Sequence, residues 1–127
     1  MGRILIVDDD ETFASVLAAS IRESYPLLQV EICPDPLKSL KIIQESVLDL
    51  LIIDMEMPTI DGAKIFRYAT DAGFDKNRIV ILSGRDADYL HEHFPLGTCL
   101  AVLNKYEAQQ KVVLDMIFKS LQKKAAG

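Results

Sequence analysis

Short unbroken apolar runs alternate along the chain with stretches whose apolar residues recur every three or four positions. The runs at 4–7, 50–53 and 79–82 are too short for buried helices and rich in aliphatic side chains, as strands buried on both faces require. The pattern predicts a first strand over 3–7, then a helix opened by Asp10 or Thr12, with Phe13, Ala14, Leu17, Ala18 and Ile21 inward and Tyr25-Pro26 closing it. A shorter strand over 29–33 leads through Pro34-Asp35-Pro36 into a helix with Leu37, Leu40, Ile43 and Val47 inward. The third strand, 49–53, runs into Asp54. Beyond a loop marked by Pro58 and Asp61-Gly62, a third helix turns Gly62, Ile65, Phe66 and Ala69 inward and stops at Gly73. A fourth strand over 78–84 precedes a short polar helix with Ala87, Leu90 and Phe94 inward and an exit at 95–97. A fifth strand, about 99–103, ends in Asn104 and Lys105, and the last helix, about 107–123, is expected to bury Ala108, Val112, Val113, Met116, Ile117 and Leu121.

Strand and helix thus alternate five times, which calls for an α/β fold: a doubly wound five-stranded parallel sheet with helices on both faces and right-handed crossovers. For so short a chain the order 2-1-3-4-5 is expected, in a single domain over 1–127. Strands one, three and four are then central.

Composition narrows the function. Hydrophobic residues make up 50% and charged residues 26%, so the chain is neither disordered nor membrane-like. No apolar run approaches the ~20 residues of a membrane span, and Met1-Gly2-Arg3 leads straight into a strand without a signal-peptide pattern. A cytoplasmic location is the expectation. The net charge is −5 and the basic residues are dispersed apart from Lys123-Lys124, so direct nucleic-acid binding is not expected. Cys33 and Cys99 fall in the second and fifth strands, on opposite sheet edges about 19 Å apart at strand spacing. That is beyond the roughly 7 Å of a disulfide, so both are read as buried thiols.

The chemistry gathers where the strands end. Asp8, Asp9 and Asp10 follow the first strand, Asp54 the third, Ser83 the fourth and Lys105 the fifth, and open parallel sheets place their ligands at this carboxyl edge. Helix capping uses one carboxylate, and Asp10 is placed for it. Asp8, Asp9 and Asp54 remain as a cluster of hard oxygen donors suited to Mg²⁺. His91 and His93 lie two apart on a helix, face different ways, and are assigned no role.

The ordered set of acidic cluster, Asp54 with Pro58 and Asp61-Gly62, Ser83-Gly84 and Lys105 closely resembles the receiver domain of two-component response regulators, a flavodoxin-like fold, over essentially the whole chain. The resemblance implies that Asp54 accepts a phosphoryl group from a sensor histidine kinase or a histidine phosphotransfer protein. It implies Mg²⁺ held by Asp8, Asp9, Asp54 and the backbone carbonyl of Glu56, with Ser83 and Lys105 binding phosphoryl oxygens. Such a domain is a signalling module rather than an enzyme, catalysing only its own phosphorylation and dephosphorylation. Two positions depart from the family: Tyr106 follows Lys105 where proline is usual, and Val102 stands where the switch aromatic is usual. Both bear on output rather than on phosphoryl uptake.

Two rival readings differ in class. One is a phosphorylation-independent pseudo-receiver used for protein contacts. The other is a small Mg²⁺-dependent aspartyl phosphatase, which typically carries Asp where this chain has Glu56. Three finer expectations follow. Glu56 and Arg85, each two residues past a site residue, are expected to pair and gate attacking water. Leu114 and Phe118 extend the last helix's apolar arc beyond one core-facing stripe, as a surface for a second copy or an output partner. The Lys105-Tyr106 bond is expected trans, with Asn104 and Tyr106 absorbing the changed turn, because cis before a non-proline residue costs about 2.5–4 kcal/mol.

Overall fold

The computed structural model describes residues 2–95 and 97–127. Its elements run β1 (Arg3–Val7), α1 (Glu11–Ser24), β2 (Gln29–Cys33), α2 (Pro36–Glu45), β3 (Leu50–Asp54), α3 (Gly62–Asp71), a 3₁₀ turn (Lys76–Arg78), β4 (Ile79–Ser83), α4 (Ala87–His93), β5 (Ala101–Asn104) and α5 (Ala108–Ala125). All strand pairs are parallel and the sheet order is β2-β1-β3-β4-β5, as the alternation of elements implies.

Period-two alternation divides the sheet's side chains between two cores. Ile4, Ile6, Leu50, Ile52, Val80 and Leu82 pack against Ala14, Ala18 and Ile21 of α1 and Leu114 and Phe118 of α5. Leu5, Val7, Leu51, Ile53, Ile79 and Ile81 face Ile43 of α2 and Ile65 and Ala69 of α3. Every residue of β3 and β4 is buried, whereas β5 is half-buried throughout, as befits an edge.

Aspartates open most of the helices. The side chains of Asp10, Asp35, Asp61 and Asp86 accept hydrogen bonds from the backbone N–H groups of Phe13, Leu37, Lys64 and Tyr89 at 2.9–3.0 Å. Asp49, expected within the third strand, stands just before it. Its Oδ2 accepts from the N–H groups of Gly2 (2.6 Å) and Arg3 (2.8 Å), tying down the start of β1. Gly73, at φ +96°, supplies the left-handed residue that ends α3.

Several inward assignments change. Leu37 and Val47 are exposed, and the buried positions of α2 are Pro36, Ser39 and Ile43. Pro36 docks the first turn of α2, which rotates Leu37 outward, and Val47 lies past the helix end at Ser46. Cys99 lies before β5 rather than in it; Cys33 and Cys99 are both free thiols. Leu90 of α4 is buried, and Phe94, just past the helix end, is half-buried. The Ala87 side chain, and Leu96 in the exit turn, lie outside the described residues.

The largest change is the phase of α5. Ala108, Val112 and Met116 are exposed, the last two by 60% and 67%, while Leu114 and Phe118 are each 2% exposed. Apolar residues cover more than one face of this helix, so the sequence allows more than one inward stripe. Tyr25, at the end of α1, selects among them. Its ring packs against Phe118 at 5.8 Å between centroids, and its hydroxyl donates to the Asp115 carbonyl at 3.2 Å. The Leu114–Phe118 pair is therefore core packing and not a docking surface.

Candidate functional site

The parallel register carries the strand-end residues to one rim. Val7 pairs with Ile53, Asp54 with Leu82 and Ser83 with Asn104, so Asp8, Asp54, Ser83 and Lys105 emerge side by side. Gly62 lets α3 close against this rim. A Cβ there would stand 2.8 Å from the Met55 Cα and closer still to the Asp54 carbonyl, and the Gly62 N–H donates to the Met55 carbonyl at 3.0 Å.

Asp8, Asp54 and Lys105 are almost fully buried, at 1%, 3% and 8% exposure, while Asp9 is exposed. Carboxylate oxygens of Asp8, Asp9 and Asp54 lie within 4.8 Å of one another. Lys105 follows β5, its N–H donating to the Ser83 carbonyl at 2.9 Å, and its side chain reaches back across β4. There its Nζ stands 2.9 Å from Asp8 Oδ2 and 3.3 Å from Asp54 Oδ1. The Asp8 contact is a buried ion pair rather than a well-directed hydrogen bond. Asp8 Oδ1 accepts from the Asp10 N–H at 2.9 Å, and Asp54 Oδ1 from the Glu56 N–H at 3.3 Å.

One lysine does not balance these carboxylates. Burial, then the charge of Asp8, push the Asp54 carboxyl up to about 7 against the opposing pull of Lys105. Burial lowers the Lys105 pKa, but Asp8 and Asp54 outweigh it and the net shift is upward. The two partners shift in the same direction because burial, then the Asp8 charge, raises Asp54, while two carboxylates beside one ammonium raise Lys105. Three clustered carboxylates, two of them buried beside a single lysine, fit a small hard cation such as Mg²⁺.

Glu56 and Arg85 do not pair. Glu56 Oε2 accepts from the Ser83 hydroxyl at 2.8 Å and its Oε1 from the Gly84 N–H at 2.7 Å. Arg85 lies over the Tyr89 ring, with Cζ 3.8 Å from the centroid. The carboxylate thus takes two donors already fixed by the end of β4, in preference to a long side chain that must first be ordered. Among the described residues no peptide bond is cis, so Lys105-Tyr106 is trans as expected. Asn104 accommodates the turn: its Oδ1 accepts from the Tyr106 N–H at 2.7 Å and its Nδ2 donates to the Arg85 carbonyl at 2.7 Å.

Comparison with known proteins agrees with this geometry. The family model of the response regulator receiver domain matches residues 4–120. The chain belongs to this family. The response regulator MprA of Mycobacterium ulcerans (strain Agy99) is 32% identical over 112 residues, covering 78% of this chain and 47% of that protein. The chain therefore spans about half the length of the curated relatives it matches. The Francisella response regulator 1452 receiver domain superposes with a TM-score of 0.78 at 20% identity, covering 98% of each chain. The response regulator TrrA of Thermotoga maritima, in complex with Mg(2+)-BeF, gives 0.75 at 20% identity, covering 95% and 99%. At such identities the likeness is one of fold.

Two side chains expected at the site take partners that the linear pattern did not name: Glu56 holds Ser83 and Gly84, and Asn104 braces the loops after β4 and β5. One feature it left unread altogether. Arg85, Tyr89 and His93 form a stacked column, with the Tyr89 and His93 rings 3.9 Å apart. The four-residue spacing of that column was its only signal in the sequence.

Proposed function

We propose that Asp54 is the phosphoryl acceptor of this receiver domain and that the phosphoryl donor is a phosphohistidine on a sensor histidine kinase or phosphotransfer protein. The observation that carries this reading is the Lys105 ammonium 3.3 Å from a carboxylate that is buried at a strand end beside two others. An Asp54 oxygen attacks phosphorus, the P–N bond breaks as the P–O bond forms, and the histidine departs. Lys105 and Ser83 are positioned to hold phosphoryl oxygens. Asp8, Asp9, Asp54 and the Glu56 carbonyl would hold Mg²⁺, which supplies positive charge against that of the transferring group.

In this reading the chain is one domain over 1–127, works in the cytoplasm, and turns over no substrate besides its own phosphoryl group. Among the described residues no helix is long and apolar enough to cross a membrane. Output or dimer contacts through the last helices use exposed residues such as Val112 and Met116. A phosphorylation-independent role would leave the buried lysine–carboxylate cluster without a purpose. Incubation with acetyl phosphate and Mg²⁺ should add one phosphoryl group to the wild type and none to Asp54→Asn. Undiminished labelling of the variant would refute the assignment.

A further inference from the structure

The Ser83 hydroxyl and the Gly84 N–H are the two donors presented beside Asp54 at the end of β4, and both are occupied. Ser83 lies one residue past Leu82, the register partner of Asp54, and its carbonyl is held by the Lys105 N–H. Its Oγ accepts from the Arg85 N–H at 3.1 Å and donates its only proton to Glu56 Oε2 at 2.8 Å. Glu56 Oε1 takes the only proton of the Gly84 N–H at 2.7 Å. A hydroxyl and a backbone amide each donate one proton, so neither is free for a second anion.

We infer that the Glu56 carboxylate is an internal competitor of the phosphoryl group: it holds Ser83 and Gly84 until phosphorylation of Asp54 displaces it. It is a positioning residue, acting on the loop after β4 and not on the reacting atoms. This role presupposes Asp54 as the acceptor.

Charge and space favour the exchange. A phosphoryl group on Asp54 adds up to two negative charges close to Glu56, which repels the carboxylate as its donors are claimed. Glu56 is exposed, so it leaves without a buried charge having to be resolvated. It also borders a groove of about 550 Å³ that is lined in part by Arg67, Arg85 and Tyr89. The released carboxylate therefore has two guanidinium groups to turn toward. Displacement of Glu56 thus passes Ser83 and Gly84, at the start of the segment leading to α4, from the carboxylate to the phosphoryl group.

The test is the affinity of the full chain for beryllofluoride with Mg²⁺, an inorganic mimic of the phosphoryl group, followed through the Gly84 amide resonance. Glu56→Ala removes the competitor and should bind about tenfold more tightly. Glu56→Gln retains one acceptor oxygen for two donors and should fall between. A variant that was merely destabilised would bind more weakly, so the sign separates competition from general loosening. Acetyl phosphate labelling of wild type and Asp54→Asn is run in parallel. Labelling confined to Asp54 together with unchanged or weaker binding by Glu56→Ala overturns the competitor while the acceptor stands. Failure of the wild type to label at Asp54 overturns the acceptor, and the competitor with it.

Discussion

Lys105 reaches from the end of β5 to within 3.3 Å of Asp54 at the end of β3, across the intervening strand β4. The same ammonium stands 2.9 Å from Asp8 and 4.7 Å from the centre of the Phe13 ring. One buried cation thus serves two buried carboxylates, and carboxylate charge outnumbers ammonium charge at the site.

That imbalance makes the metal-free domain pH-sensitive with a defined sign. The folded Asp54 carboxyl, raised by burial and by Asp8 to about 7, lies above its unfolded value of about 3.9. The folded state therefore binds more protons between these values. The contribution of Asp54 to stability is full below about pH 4 and is lost as pH rises through about 7. In EDTA, the Tm of the wild type should fall between roughly pH 4 and 7 relative to that of Asp54→Asn, and Mg²⁺ should restore it at the upper end. Parallel Tm curves for the two proteins would contradict the shift.

Removing the lysine should be more damaging than removing a carboxylate. Lys105→Met keeps much of the stem but strands Asp8 and Asp54, and breaking a buried pair costs about 3–5 kcal/mol. Urea unfolding at neutral pH without Mg²⁺ should show a loss of that order. The added substitution Asp54→Asn should recover part of it, since one stranded charge is gone. A loss below about 1 kcal/mol would mean that water already screens the pair.

The phase of α5 is testable by contrast. Phe118, packed on Tyr25 within the core, should cost about 3–5 kcal/mol as Phe118→Ala. Met116→Ala, at a position 67% exposed, should stay within about 0.5 kcal/mol. Equal losses in chemical denaturation would show that the helix sits in a different rotation.

Much of this protein follows from the sequence alone, for identifiable reasons. Four-residue aliphatic runs such as 50–53 leave no polar face, so a buried parallel strand is the element they suit, and five alternations restrict the order of the sheet. Because each strand in such a sheet points the same way, the residue after each run is delivered to a common edge. Asp8, Asp54, Ser83 and Lys105 could be brought together on paper by that rule alone. Tertiary structure decided what depends on a partner's shape. Helix α5 carries apolar residues on more than one face, so its rotation awaited Tyr25 just past α1, ninety-odd residues earlier, and Leu114 and Phe118 proved internal. The Glu56 carboxylate likewise had a cation within reach in sequence, yet took Ser83 and Gly84. Which donor a flexible side chain finds is set by distances between loops, and spacing along the chain does not encode them.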